Sequence, residues 1–353
     1  MHDGPSAHEQ LTRTHPPVSS PWPLPNPTGP APYRLRLSDV LPGGEIEDIQ
    51  RAGRLRFQSV GDTGGLRNPG PQRAVAAAMA AELSGEEPVR FFYHLGDIVY
   101  LHGEETHYRS QFSEPYAGYS APIFAVAGNH DGERAPGTDS RSLDAFVRHF
   151  CAPASRLNGQ RAVPQPNVYW TLEHDWVTIV GLYTNVPEGG LLDAEQKRWL
   201  VGELSAARPG VTLILAMHHP VYSADLAHGS NLALGATLDE CFAHAGRAPD
   251  AVFSAHAHNY QRFSRHDQGR ETAYIVAGSG GFPELHRLGY GIPDTPAAFA
   301  GLPGLTLEAH QHAAFGFLTV TAGPDGAWVD YSIVVRRRPV SFDRFWIGPA
   351  GAT

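Results

Sequence analysis

Cysteine is almost missing: Cys151 and Cys241 are the only two in 353 residues, and they lie far apart in the chain. Two such residues support neither a disulfide framework nor a thiolate zinc site, and they leave open one Cys151–Cys241 bridge at most. No run of about 18 apolar residues is present, so the signature of a membrane-spanning helix is lacking and no membrane partner is expected. Positive charge is scarce as well. With 27 Lys and Arg against 36 Asp and Glu, the formal charge is −9. The clustered cations that hold a phosphate backbone are therefore missing, and nucleic acid is not expected as a partner. The one basic run, Arg336, Arg337 and Arg338, reads as a solvated strand end. From Met1 to about Ser20 there are acidic residues, His and Pro but no apolar stretch. No signal peptide is read there, and a cytoplasmic protein is expected.

Apolar residues make up 42% and charged residues 18%, the balance of an ordinary globular chain that buries its core without covalent staples. Gly at 38 and Pro at 30 predict many turns and long loops, and sites are most often built on loops held by a rigid frame. Histidine is abundant, at 19. Several stand beside Asp, Asn or Gly where a strand gives way to a loop, a first pointer to metal.

Residues 15–32 are dense in Pro, which removes amide donors and favours an extended chain. Residues 1–54 are read as an N-terminal arm, 55–340 as the main domain and 341–353 as a tail. From Leu55 onward short apolar runs alternate with polar loops and amphipathic stretches, the rhythm of an α/β layer fold. Strands are expected at 55–60, 89–95, 123–127, 168–172, 178–183, 212–217, 251–254, 272–277, 316–321 and 328–335. Helices are expected at 72–83, 140–150, 193–206 and 238–244. Asp193 reads as an N-cap with Gln196 completing a capping box. Asp325-Gly326 signals a hairpin turn between the last two strands.

Five of these strands run into loops that open with metal-competent residues: Gly61-Asp62-Thr63, Gly96-Asp97 with Tyr100, Asn129-His130-Asp131, His218-His219-Pro220 and His256-Ala257-His258. Taken singly, each has an ordinary explanation. Gly-Asp after a strand is usually a turn, a His-x-His pair is more often solvent alternation, and a lone Tyr is core. The ordered coincidence of carboxylate, carboxylate with phenol, amide with imidazole, imidazole and paired imidazoles is not ordinary. Strand exits converge when the strands are neighbours in one sheet. Two close cations need an anionic bridge, which a carboxylate supplies. Mixed oxygen and imidazole donors suit Fe, Mn or Zn rather than Ca or Mg.

In order and spacing the five loops resemble the calcineurin-like metallophosphoesterases. The pairing of Asp62-Thr63-Gly64 with a Gly-Asp-x-x-Tyr loop ending in Tyr100 resembles the purple (tartrate-resistant) acid phosphatases among them. The resemblance implies a four-layer αββα sandwich of two mixed β-sheets flanked by helices. It implies a ferric site of Asp62, Asp97, Tyr100 and His258, and a divalent site of Asp97, Asn129, His218 and His256, so that Fe is paired with Fe, Zn or Mn. His130 and His228 become candidates for protonating the leaving group or steadying the phosphate, and His219 for a supporting or substrate role. The substrate implied is a small phosphate ester, cleaved as a phosphomonoester. A phosphodiesterase or nucleotidase on the same scaffold, and a binding module that has lost catalysis, are the alternatives. Ala255 departs from the family pattern, where Gly is usual, and is expected to be tolerated if its φ is negative.

Overall fold

The computed structural model describes residues 23–134, 137–139, 141–152, 163–184, 190–267, 269–289, 292, 294–299 and 301–349. The start of the Pro-rich arm, through residue 22, and the first residue of the helix expected at 140–150 lie outside them.

The strands begin with β1 (Arg34–Arg36), β2 (Leu55–Val60), β3 (Phe92–His94), β4 (Ile123–Ala125) and β5 (Trp170–Glu173). They continue through β6 (Val177–Gly181), β7 (Thr212–Ala216), β8 (Ala251–Ser254), β9 (Tyr260–Asp267) and β10 (Arg270–Ala277). The last are β11 (Ala297–Ala298), β12 (Leu305–Gln311), β13 (Gly316–Gly323), β14 (Gly326–Val335) and β15 (Arg338–Ile347). One sheet has the order β1-β5-β6-β7-β8-β10-β9-β12-β11 and the other β15-β14-β13-β2-β3-β4. Both are mixed. The parallel run β6-β7-β8-β10 stands at the centre of the larger sheet and β2-β3-β4 at one edge of the smaller, while β5–β6, β10–β9, β9–β12, β12–β11, β2–β13, β13–β14 and β14–β15 pair antiparallel.

Alternation along the strands explains the layers. On β2, Leu55 and Phe57 face the other sheet and Val60 faces out; on β7, Ile214 and Ala216 face in while Leu213 and Leu215 face out. The inner cluster joins Phe57, Phe91 and Phe124 of the smaller sheet to Trp170, Ile179 and Phe253 of the larger. Outside the larger sheet lie α3 (Ala194–Ala206) and α4 (Leu232–Ala245). Outside the smaller sheet lies α2 (Gly70–Ala80), with Phe112, Phe146 and Phe150 beside it. This is the four-layer αββα arrangement that the resemblance implies.

Arg34–Ala52, before the expected boundary at 54/55, is part of this body. β1 pairs parallel to β5, and α1 (Gly43–Ala52) buries Ile49 in the inner core. β15 carries the smaller sheet past the expected boundary at 340/341. The helix expected over 140–150 is instead a short turn at Asp144–Phe146 followed by π-helix at Val147–Cys151, entered from Leu143 with φ of 65°. α4 starts six residues earlier than expected, at Leu232, capped by Asn231 accepting from the Leu234 N–H at 2.9 Å. Asp193 does cap α3, accepting from Gln196 N–H at 2.7 Å. The Gln196 side chain does not complete the box. It bonds both the N–H and the carbonyl of Tyr183, at 2.9 Å each, and so ties α3 to the exit of β6. Cys151 and Cys241 are buried free thiols, so the bridge left open by sequence is not formed. Among the described residues no helix is long and apolar enough to cross a membrane.

Candidate metal centre

All five loops leave the C-terminal ends of parallel strands: β2, β3 and β4 in one sheet, β7 and β8 in the other. The two sets meet at one edge of the sandwich. Backbone bonds stitch the loops together there, Asp62 N–H to Gly96 O at 3.0 Å and Ala255 N–H to His218 O at 2.9 Å. Asp62 and Asp97 both have φ of 55° and His256 has φ of 67°. Ala255 is not among the described residues with positive φ; the left-handed turn falls on the next residue, His256. Gly128 is required by contact, since a Cβ there would lie 2.1 Å from Asp97 Oδ1.

The seven expected donors fall into two touching groups. In the first, Tyr100 Oη donates to Asp62 Oδ1 at 3.1 Å, and His258 Nε2 lies 3.4 Å from each of those oxygens. In the second, Asn129 Oδ1 lies 3.0 Å from both His218 Nε2 and His256 Nδ1, with Asp97 Oδ2 at 3.3 Å from His218 Nε2. Donor atoms of Asp97, His218 and His256 all lie within 4.8 Å of one another.

The donor chemistry fits cations. His218 Nδ1 donates to Leu95 O at 2.9 Å, which leaves Nε2 as a lone pair in the neutral ring. That lone pair points at Asn129 Oδ1, Asp97 Oδ2 and, at 3.2 Å, His256 Nδ1. His258 repeats the pattern: Nδ1 donates to Glu284 O at 3.0 Å and Nε2 faces Asp62 and Tyr100. With neutral rings, lone pairs and carboxylates aimed at one another in a buried site call for a positive centre, which a bound cation or, in the bare protein, a proton on His218 supplies.

The electrostatics of the bare donors agree. Burial works against the charge on Asp97, yet His218, His130 and His256 hold its carboxyl well below the usual range. Burial and the carboxylates of Asp62 and Asp97 keep the Tyr100 phenol well above its ordinary value. His218, although buried, is raised to about 9 by Asp97.

The remaining predicted residues sit around this centre. His130 donates its backbone N–H to Asp97 Oδ1 at 3.0 Å and its Nδ1–H to Leu101 O at 2.7 Å, with its ring 4.5 Å from that of Tyr100. His228 lies 4.2 Å from the His256 ring. His219 is buried, with Nδ1 bonded to Thr184 Oγ1 at 2.6 Å and its ring 4.6 Å from that of His256.

Sequence reasoning missed four neighbours. Asp131 accepts from Ile98, Val99 and Gly128 N–H and so locks the second loop to the third. His94 bonds Thr63 Oγ1 at 2.8 Å and accepts from Gly96 N–H at 3.1 Å, and burial lowers it to about 3. The ring of Phe282 lies 4.3 Å from Tyr100 and 4.7 Å from His258. His286 stacks on His258. Phe282 and His286 follow the glycine-rich stretch Gly278-Ser279-Gly280-Gly281 after β10, and no spacing in the sequence marks them as neighbours of the donors.

Such a fold, with this donor order, defines a metallophosphoesterase framework. Residues 55–260 match the family model described as calcineurin-like phosphoesterase, and the chain belongs to that family. Purple acid phosphatase 22 of Arabidopsis thaliana is 23% identical over 253 residues, covering 69% of this chain and 54% of that protein. Probable purple acid phosphatase 20 of the same plant is 27% identical over 171 residues, 45% of this chain and 38% of that protein. The chain thus spans about half or less of the length of these curated relatives. Among solved structures, purple acid phosphatase PPD1 of yellow lupin superposes with TM-score 0.62 at 19% identity, covering 84% of this chain and 54% of that one. GAP50, the anchor in the inner membrane complex of Plasmodium, gives 0.61 at 17% identity, covering 84% and 89%. Both likenesses concern the fold.

Proposed function

We propose that this chain hydrolyses phosphomonoesters at a two-metal centre of the purple acid phosphatase kind. One metal would be held by Asp62, Asp97, Tyr100 and His258, the other by Asp97, Asn129, His218 and His256. The observation that carries the reading is the convergence of seven donors in two groups, Asp62, Tyr100 and His258 in one and Asp97, Asn129, His218 and His256 in the other. When bound, two such cations, iron with iron, zinc or manganese, draw charge from the phosphoryl oxygens and acidify the attacking water. His130 gives its Nδ1 proton to Leu101 O, so Nε2 is the nitrogen available to hand a proton to the leaving oxygen. His228, its ring 4.2 Å from that of His256, is the second such candidate. Phe282 covers Tyr100 and His258 and limits water at that group.

The same fold in an anchor protein means that architecture alone does not imply turnover. Retention of every donor supports the enzyme. The test joins elemental analysis, the visible spectrum and a substrate panel. Two metals per chain including iron are expected, with a charge-transfer band lost in Tyr100→Phe. Asn129→Ala should lose the second metal, and His130→Ala should keep both while kcat falls about 100-fold. p-Nitrophenyl phosphate should be cleaved faster than its bis ester. Metal-free, inactive but well-folded protein would sink the proposal.

A further inference from the structure

His286 lies outside every motif read from the sequence, yet it completes a second rank of histidines at the site. His256 and His258 face the donor groups, and each carries another imidazole against it. His228 lies 4.2 Å from the His256 ring, His286 stacks on His258 at 4.1 Å and 25°, and the two outer rings are 5.2 Å apart.

A buried carboxylate organises the outer pair. Asp225 Oδ1 accepts from the backbone N–H of His228 at 2.6 Å and of Ala227 at 2.8 Å, and lies 3.5 Å from His286 Nδ1. Its Oδ2 accepts from Asn259 Nδ2 at 2.7 Å. Backbone bonds from Leu226 N–H to Arg287 O and from His286 N–H to His258 O, at 2.9 and 3.0 Å, join the two loops to each other and to the donor loop. None of these atoms belongs to the proposed metal donors.

The ring's orientation is informative. Nδ1 of His286 faces inward, 3.4 Å from the backbone N–H of His258 and 3.5 Å from Asp225 Oδ1. Nε2 has no partner among the described residues and is not enclosed, on a side chain 19% exposed. Packing alone does not account for an imidazole here, because Phe282 already lies against His258. A polar ring tethered at one nitrogen and open at the other is built to present the open one.

We infer that His286 is a substrate-positioning residue: with His228 it presents imidazole nitrogens to the anionic oxygens of a phosphoester at the donor cluster. The inference deepens the phosphoesterase reading and rests on it. A phosphomonoester dianion carries more unneutralised oxygen charge than a diester, so the pair biases the site toward monoesters.

The test uses the metal-loaded full chain with three substitutions. His286→Ala removes the contact, His286→Phe keeps a stacked ring without nitrogen, and His286→Gln returns an amide N–H near the Nε2 position. Elemental analysis is expected to match wild type in all three. For His286→Ala and His286→Phe, KM for p-nitrophenyl phosphate and the calorimetric Kd for inorganic phosphate should both rise about tenfold, the scale of one charge-assisted hydrogen bond. Their kcat should change far less, the bis ester should respond less than the monoester, and His286→Gln should recover most of the loss. Wild-type phosphate binding in His286→Phe would overturn the inference, because the ring alone would suffice. Loss of metal from all three would overturn it too, since His286 would then be a prop for His258. Should wild type bind phosphate without turning over any ester, a tenfold weaker Kd in His286→Phe would remove the hydrolase reading and leave the phosphate contact standing.

Discussion

Asp131 gives the sharpest test of how the site is held. It is 2% exposed, and its carboxylate accepts from Ile98 N–H at 3.0 Å, Val99 N–H at 3.1 Å and Gly128 N–H at 2.9 Å. Asp131→Ala leaves three buried backbone donors without an acceptor. At about 1–3 kcal/mol for each unsatisfied group the loss would reach several kcal/mol. Removing a charge that burial disfavours and Asp97 repels returns part of it, so the lower half of the range applies, about 3–5 kcal/mol. Asp131→Asn keeps one acceptor oxygen for Ile98 and Val99 and turns an amide nitrogen toward Gly128 N–H, so one donor is orphaned, at about 1–3 kcal/mol. The order Ala worse than Asn is the signature of an acceptor role. Urea unfolding of metal-free protein, followed by circular dichroism with the slope compared among variants, reads it. A loss below about 1 kcal/mol in the Ala variant, or equal losses in both, would refute the account.

Two further outcomes follow from packing. Gly128→Ala places a methyl 2.1 Å from Asp97 Oδ1 and 2.4 Å from its backbone nitrogen, so the Asp97 loop must shift and the variant should bind less metal than wild type by elemental analysis. Cys151 is buried, which pushes its thiol up to about 12, and Cys241 is raised for the same reason. Ellman's reagent should therefore find no reactive thiol in folded protein and both after denaturation; silence after denaturation would mean that they are paired.

The donors were legible because each follows a strand with apolar residues on both faces, and a Gly or Ala marks the exit. Val60-Gly61-Asp62 and Leu95-Gly96-Asp97 announce themselves in this way. What stayed hidden is non-local or locally ambiguous. Pro before Arg34 disguised β1 and α1 as arm, although Leu37, Leu41 and Ile49 are core. Gly235, a poor helix former inside α4, sits against Val221, where a Cβ would come within 2.9 Å of that side chain. β9 alternates Tyr260, Arg262, Ser264 with Gln261, Phe263, Arg265, so its buried face is not uniformly apolar and the strand was not drawn. Asp131 binds backbone more than thirty residues away, at Ile98, and Asp225 gathers loops separated in the same manner. No period in a sequence encodes a carboxylate that serves another loop's amides.

The backbone at the donors makes the strongest argument that the side chains, and not the turns, are what the fold preserves. Asp62, Asp97 and His256 hold φ of 55°, 55° and 67°, a conformation that costs a non-glycine residue roughly 1–2 kcal/mol. Glycine would adopt it freely, and Gly61 and Gly96 stand one residue away. A fold selected for stability alone would place glycine at these three positions and would leave no carboxylates at 0% and 1% exposure among imidazoles. Each departure is unfavourable in the bare protein, and the departures coincide at the residues that converge. A cation bound only by the folded chain stabilises it in proportion to its affinity, and thereby offsets both the strained turns and the buried charge. The site is therefore better explained as a receptor for cations than as a structural polar cluster.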